Sequence, residues 1–136
     1  MTTISGNCLC GAVTYSLSEP PLHVAQCHCT DCQKYSGTGH ATNAAFAAQA
    51  FTVTGPLTTY TSRADSGKDI SRSFCTVCGS PICSVVEALP GMIVVPAGSM
   101  QDPSLVTPQL AFFTSRAPKW DKAMDGIPAF PEMPPA

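Results

Sequence analysis

The alternation of hydrophobic and polar positions along the chain is typical of short β-strands. Val13, Tyr15 and Leu17 are separated by single polar residues, as expected for a strand with one buried face. Further strands are predicted over residues 22–27, 51–54, 57–61, 80–86, 92–95 and 110–114. Because only Gly55 and Pro56 separate residues 51–54 from 57–61, these two segments are predicted to form a hairpin.

The helical signal is confined to one short segment. Thr30-Asp31-Cys32-Gln33 matches a capping box, in which Thr30 is the N-cap and the Gln33 side chain returns to the start of the helix. The pattern predicts one or two helical turns that end near Gly37. The alanine-rich residues 44–50 are compatible with either a helical turn or the end of a strand. The chain is therefore predicted to be mainly β with little helix.

The C-terminal residues form a proline-rich tail from about residue 127. Proline lacks a backbone N–H group, so this segment is predicted to be neither helix nor inner strand. We expect it to lie extended across the body of the protein, with Trp120, Ile127 and Phe130 as its anchors. The whole chain, residues 1–136, is predicted to form a single domain that includes this tail.

Composition and charge exclude several classes of protein. Hydrophobic residues make up 44% of the 136 positions, which is enough for a core, and charged residues make up only 12%. No signal peptide is visible, and no run approaches the ~18 apolar residues of a membrane span. A net charge of −2 without a basic patch argues against nucleic acid as a partner. The expectation is a cytoplasmic protein whose cysteines stay reduced and are available to bind metal.

The spacing of the cysteines is the strongest chemical signal. Seven of the eight cysteines fall into three clusters, Cys8-x-Cys10, Cys27-x-Cys29-x2-Cys32 and Cys75-x2-Cys78. Two pairs together supply the four thiolates of a closed zinc site, and three thiolates remain. Closed sites of four thiolates are structural, whereas three protein ligands leave an open position. The sequence thus predicts two zinc ions with different roles.

Cys8, Cys10, Cys75 and Cys78 are the predicted ligands of the structural zinc. Residues i and i+2 of a strand face the same side, so Cys8 and Cys10 can reach one ion. Cys75-x2-Cys78-Gly79 resembles a zinc knuckle, in which glycine relaxes the turn and backbone N–H groups face the sulfurs. Buried thiols, a redox-active C-x2-C pair and disulfides to distant cysteines remain as alternatives.

Cys27, Cys29 and Cys32 are the predicted ligands of the second zinc, which is the candidate catalytic ion. Three thiolates give zinc a formal charge of −1, so this ion is a poor Lewis acid for water or a carbonyl group. An exogenous thiol could still occupy the open position and lose its proton there. The site therefore suits the delivery of a thiolate.

A second structural zinc is the alternative interpretation of this site, if His28, Asp31 or Cys83 closes it. His28 is expected to point away from its cysteine neighbours, because adjacent side chains of a strand alternate. Cys83 is expected to be a buried small hydrophobic residue. His23 and His40 are interpreted as core or surface histidines. Asp121 belongs to a set of loop carboxylates interpreted as turn or solubilising residues.

Taken together, the cysteine clusters and several glycine- and proline-containing motifs identify the chain as similar to a known family. The matching motifs are Gly6-x-Cys8-x-Cys10-Gly11-x3-Tyr15, Cys27-His28-Cys29-x2-Cys32-Gln33-Lys34-x2-Gly37, Phe74-Cys75-x2-Cys78-Gly79-Ser80, Gly98-Ser99-x2-Asp102-Pro103, Ala117-Pro118-x-Trp120 and Gly126-Ile127-Pro128-x-Phe130. They resemble the family of glutathione-dependent formaldehyde-activating enzymes, which includes centromere protein V. The resemblance runs from about Gly6 to Pro131.

The resemblance implies a β-tent fold, which consists of several small curled β-sheets around zinc–thiolate sites. It implies a structural zinc on Cys8, Cys10, Cys75 and Cys78, and a second zinc, proposed as catalytic, on Cys27, Cys29 and Cys32. The implied reaction is carbon–sulfur lyase or synthase chemistry, in which glutathione adds to formaldehyde to give S-hydroxymethylglutathione. Many family members carry a histidine shortly after the proline that corresponds to Pro108, whereas this chain has Gln109-Leu110-Ala111-Phe112.

Other functions remain open at this stage. The fold and its zinc sites do not fix the reaction, so a non-catalytic zinc module that binds a protein, or the same chemistry on another thiol or electrophile, are alternatives. Glutathione carries two carboxylates, for which basic side chains would form a clamp. The candidates for this clamp are Lys34, Arg63, Lys68, Arg72 and Arg116.

Overall fold

The computed structural model describes residues 3–134, which contain ten strands, one α-helix and four short 3-10 turns. Met1, Thr2, Pro135 and Ala136, and with them the ends of the predicted 1–136 domain, lie outside the described residues. The strands are β1 (Ile4–Asn7), β2 (Thr14–Leu17), β3 (His23–Cys27), β4 (Ala41–Ala47), β5 (Phe51–Thr54), β6 (Leu57–Arg63), β7 (Asp69–Cys75), β8 (Pro81–Val86), β9 (Met92–Pro96) and β10 (Leu110–Phe112). Helix α1 spans Thr30–Ser36, and the 3-10 turns are Ala48–Ala50, Ala97–Ser99, Pro103–Leu105 and Thr114–Arg116.

The strands form two sheets. One sheet has three strands in the order β1-β2-β5, and the other has seven in the order β10-β3-β4-β9-β8-β7-β6. All strand pairs are antiparallel except β10 with β3. The prediction of a mainly β fold built from small sheets with little helix is confirmed.

A continuous hydrophobic core connects the two sheets. Leu17 of strand β2 and Val13, which precedes that strand, are fully buried together with Phe46, Ile82 and Val95 of the larger sheet. Burial of each such side chain stabilises the fold by about 1.5–3 kcal/mol relative to exposure. The alternation of Val13, Tyr15 and Leu17 in the sequence therefore reflects one buried face of the smaller sheet.

The predicted hairpin of residues 51–54 and 57–61 is wrong. Strand β5 pairs with β2, whereas β6 pairs with β7, so the two segments belong to different sheets. Gly55 has a φ of +114° and is followed by Pro56, whose ring fixes φ near −65°. The hairpin turn of type I′ needs positive φ at both central residues, which Pro56 cannot adopt, and Gly55-Pro56 carries the chain from one sheet to the other.

Helix α1 ends as predicted but begins differently. Gly37 terminates it in the left-handed conformation with a φ of +78°. The N-cap is Cys29 rather than Thr30, because the Cys29 sulfur accepts a hydrogen bond from the Cys32 N–H group at 3.3 Å. In the alanine-rich segment, strand β4 runs to Ala47 and a 3-10 turn follows. Among residues 3–134, no helix has the length and apolar composition needed to cross a membrane.

The proline-rich tail lies against strand β10. Phe130 donates its N–H to the Ala111 carbonyl at 2.9 Å, and Ala111 donates its own to the Pro128 carbonyl at 2.9 Å. Ile127 and Phe130 are half-buried, in agreement with their predicted role as anchors. Trp120 is 72% exposed, so its prediction as an anchor is wrong.

Candidate metal centres

Cys8, Cys10, Cys75 and Cys78 come together in one group, with their ligand atoms all within 4.8 Å of one another. The Sγ atoms of Cys8 and Cys10 are 3.6 Å apart, and those of Cys10 and Cys75 are 3.9 Å apart. A tetrahedral zinc with bonds of about 2.3 Å separates two sulfur ligands by about 3.8 Å. The donor set and its spacing therefore fit the structural zinc predicted from the sequence.

Backbone N–H groups point at these sulfurs, as the knuckle pattern predicts. Val13 donates to the Cys8 sulfur at 3.2 Å, and Val77 and Cys78 donate to the Cys75 sulfur at 3.3 and 3.4 Å. Such donors favour the thiolate over the thiol. Hydrogen bonding from the Ser80 side chain and backbone likewise lowers the pKa of Cys78 to about 5.

This first group also joins the two sheets. Cys8 and Cys10 follow β1 in the smaller sheet, whereas Cys75 ends β7 in the larger sheet and Cys78 follows it. Gly79 closes the knuckle with a φ of +80°, and its N–H bonds the Cys75 carbonyl at 2.8 Å. An ion held here would link two segments that are far apart in the sequence.

Cys27, Cys29 and Cys32 form the second group, at the junction of β3 and α1. Cys27 is the last residue of β3, Cys29 is the helix N-cap, and Cys32 lies in the first helical turn. Side-chain hydrogen bonds from Cys27 and Cys32 lower the pKa of Cys29 well below its ordinary value. The hydrogen bond to Cys29 raises the pKa of Cys27, and the hydrogen bonds to Cys27 and Cys29 raise the pKa of Cys32. Cys29 and Cys32 are only half-buried, so a small molecule can reach them.

This second group fits three ligands and an open position. Within the described part of the chain, the group contains neither His28 nor Asp31 nor Cys83, the residues considered as a possible fourth ligand. Cys83 is buried on β8, as a small hydrophobic residue would be. Three thiolates at the N-terminus of a helix match the donor set of a zinc site with one exchangeable position.

A basic cleft of about 390 Å³ lies beside helix α1, which also carries Cys32. It is lined by Asp31, Lys34, Tyr35, Tyr60, Ser62, Arg63 and Arg72. Three of the five basic residues proposed from the sequence therefore line one cleft. Lys68 is not among the lining residues, and Arg116 pairs instead with Glu132 at 3.3 Å.

Arg72 lies in this cleft without an acidic partner among the described residues. Its guanidinium lies 5.5 Å from the centre of the Tyr35 ring and donates to the Ser62 hydroxyl at 3.1 Å. Arg72 is half-buried and has no carboxylate partner among residues 3–134. The Tyr35 hydroxyl is also buried without a hydrogen-bond partner in the same described range. Burial raises the pKa of Tyr35, so its hydroxyl remains a hydrogen-bond donor.

The family model described as "Glutathione-dependent formaldehyde-activating enzyme" matches residues 3–116, which include both cysteine groups. The chain belongs to this family. The match confirms the resemblance seen in the cysteine motifs, although it ends before the Trp120 and Phe130 motifs. Asp31, Lys34, Tyr35, Arg63 and Arg72 of the basic cleft all lie within the matched region.

A solved structure shares the fold. The crystal structure of a Rhodobacter sphaeroides protein, a structural genomics target, matches with a TM-score of 0.57 and 22% sequence identity. The similarity covers 76% of this chain and 91% of that chain. At this identity it concerns the fold alone. No curated protein matches the chain significantly.

A third group of potential metal ligands was missed by the sequence analysis. His28, His40 and Asp121 have ligand atoms within 4.8 Å of one another. His28 points away from the cysteine group, as strand alternation predicts, but His40 and Asp121 are not the isolated residues expected. No motif links these three positions, and Asp121 lies beyond the region matched by the family model.

Proposed function

We propose that this chain is a zinc-dependent carbon–sulfur lyase of the synthase type, which adds glutathione to formaldehyde to give S-hydroxymethylglutathione. The observation that carries this proposal is the three-cysteine group at the junction of β3 and helix α1, whose Cys32 lies on the same helix as Lys34 and Tyr35 of the basic cleft. Family membership supports the choice of thiol and aldehyde. The proposal includes a cytoplasmic location and one domain over residues 1–136.

The thiol chemistry depends on the open ligand position. When zinc is bound by the three thiolates, it supplies a place where an exogenous thiol is held with a lowered pKa. The protein fixes the positions of the side chains around this site. The Cys29 cap holds Cys32 in the first helical turn, and the helix places Asp31, Lys34 and Tyr35 at the neighbouring cleft. Helix α1 thus links the cysteine group, through Cys29 and Cys32, to one wall of the cleft.

The basic cleft is the proposed binding place for the charged ends of glutathione. The guanidinium of Arg72 and the ammonium of Lys34 can each receive a carboxylate, and the Tyr35 hydroxyl can donate a further hydrogen bond. Asp31 offers a carboxylate to the α-amino group. Because Arg72 has no acidic partner of its own among the described residues, binding a carboxylate breaks no existing ion pair.

The proposed reaction needs no redox partner. A carbon–sulfur bond forms between the glutathione sulfur and the formaldehyde carbon, while the carbonyl π bond becomes an alkoxide lone pair. The proton released by the thiol is returned through solvent to this oxygen. The same steps in reverse release formaldehyde, so the enzyme accelerates both directions equally.

The test is NMR exchange spectroscopy on glutathione, formaldehyde and their adduct at equilibrium. The adduct also forms without a catalyst, so the exchange rate is the observable and the yield is not. We expect zinc-loaded protein to raise the exchange rate above the protein-free rate in proportion to protein concentration. Absence of any acceleration would reject formaldehyde activation and would favour a binding module or another thiol.

Replacement of Arg72 by glutamine should weaken the use of glutathione selectively. Loss of one charge-assisted hydrogen bond, worth about 1.5–3 kcal/mol, predicts a KM for glutathione raised about ten- to hundredfold. Acceleration with 2-mercaptoethanol, which has no carboxylate, should change little. Lys68→Gln is the matched control, because Lys68 is an exposed cation that does not line the cleft. An equal loss with both thiols would show that Arg72 does not act by binding a carboxylate.

A further inference from the structure

We propose that His28, His40 and Asp121 form a third metal site, which binds a divalent first-row transition ion through two imidazoles and one carboxylate. The three side chains come from the end of β3, the segment before β4 and the loop before the tail. Imidazole nitrogen suits zinc, iron, copper and nickel, and a carboxylate completes a common three-ligand set. This site is separate from the two thiolate groups and does not depend on the proposed reaction.

The distances between the ligand atoms of this group are close to those around a bound metal ion. Asp121 Oδ2 lies 2.6 Å from His40 Nδ1 and 3.6 Å from His28 Nε2. Two ligands on one tetrahedral ion are about 3.3–3.6 Å apart when metal–ligand bonds are about 2.0–2.2 Å. The separation of Asp121 from His28 already fits this distance, and lengthening the contact between Asp121 and His40 by less than an ångström would let both imidazoles and the carboxylate bind a common ion.

His28 supplies a second and independent observation. Its side chain is 0% exposed, and neither ring nitrogen has a hydrogen-bond partner among residues 3–134. Buried polar groups nearly always have a partner, and a fully buried imidazole without one is an exception that needs an explanation. Because its Nε2 faces Asp121 while the His40 ring lies 5.0 Å away, an ion bound between them would satisfy this nitrogen.

The surrounding residues hold the three ligands in place. Gly39 leaves space for Asp121, because a Cβ atom at position 39 would overlap the carboxylate. Gln33 donates to the carbonyls of His28 and Arg116 at 2.8 and 2.9 Å. Gln26 accepts a hydrogen bond from the Met124 N–H at 2.9 Å, which ties the loop carrying Asp121 to β3. The segment after Arg116 is thus fixed over the His28 side of the sheet.

The experiment is a Co²⁺ titration followed by NMR of the histidine ring protons. The protein is first loaded with two equivalents of zinc per chain, enough for the two thiolate groups and no more. Zinc occupies the thiolate groups first, and any Co²⁺ that enters them is recognised by thiolate-to-cobalt charge-transfer absorption. We expect saturable paramagnetic shifts or broadening at His28 and His40, without this absorption. His40→Ala and Asp121→Asn should each lower the Co²⁺ affinity at least about tenfold, since loss of even an outer-shell partner costs a site ten- to hundredfold.

His23→Ala is the matched control, because His23 is a partly exposed histidine outside the group. It should bind Co²⁺ as the wild type does. Backbone NMR spectra of all three variants establish that each is folded, and Asp121→Asn preserves the shape of its side chain. The proposal is overturned if wild-type protein shows no saturable effect at His28 and His40. It is equally overturned if the effect persists in both variants or disappears in His23→Ala.

Discussion

Cys78→Ser is expected to give an unfolded or insoluble protein. Cys78 is one of four cysteines whose sulfur atoms meet between the two sheets, and serine is a far weaker zinc ligand. Binding of a structural zinc contributes on the order of 10 kcal/mol to folding. This is comparable to the whole stability of a small domain, about 5–15 kcal/mol. The two sheets should then lose the link that holds Cys8 and Cys10 against Cys75.

The measurements are circular dichroism on heating and zinc content by emission spectroscopy. Cys83→Ser is the matched control, because Cys83 is a buried cysteine that belongs to neither thiolate group. It should cost a modest part of the stability and leave the zinc content unchanged. A Cys78→Ser protein that folds and keeps its full zinc content would show that this group is not a structural zinc site.

Cys29→Ser is expected to abolish the acceleration of glutathione–formaldehyde exchange while the protein remains folded. The Cys29 sulfur is the hydrogen-bond acceptor at the centre of the second group and caps helix α1. Serine is itself a good N-cap, so the helix should persist. With two thiolates left, the zinc content should fall by about one ion per chain because the site loses a required ligand.

The exchange rates of Cys29→Ser and wild type are compared at equal concentrations of folded protein, with Cys83→Ser again as the control. Cys83→Ser should retain the wild-type acceleration. If Cys29→Ser loses the zinc but keeps the acceleration, the chemistry does not take place at the second group. If it loses both, and Cys78→Ser does not fold, the two groups have the different roles that their ligand counts predict.

The local part of the architecture could be predicted from the sequence. Alternation of buried and exposed residues located strands such as β2, and Gly37 marked the end of α1 correctly. The cysteine spacing also predicted pairs of sulfurs that the structure brings together, because C-x-C and C-x2-C already place two such side chains close to each other locally. These signals depend on residues that are close together in the sequence, so they can be recognised without knowledge of the fold.

The errors concern contacts between distant segments. Nothing near Gly55-Pro56 indicates that β5 joins β2 while β6 joins β7. The group of His28, His40 and Asp121 likewise exists only because the loop after Arg116 returns over β3. The error on Trp120 has the same cause. A large apolar side chain in a loop is as compatible with exposure as with burial, and contacts with distant segments decide between them.

The position of the tail has a consequence for self-association. Strand β10 is an edge of the seven-stranded sheet, and unpaired edges invite strands from other molecules. Here the tail occupies that edge through Pro128 and Phe130, and Pro131, which follows Phe130, has no N–H to offer a further strand. The tail thereby covers one of the two edges of this sheet and leaves less of β10 free to pair with another molecule.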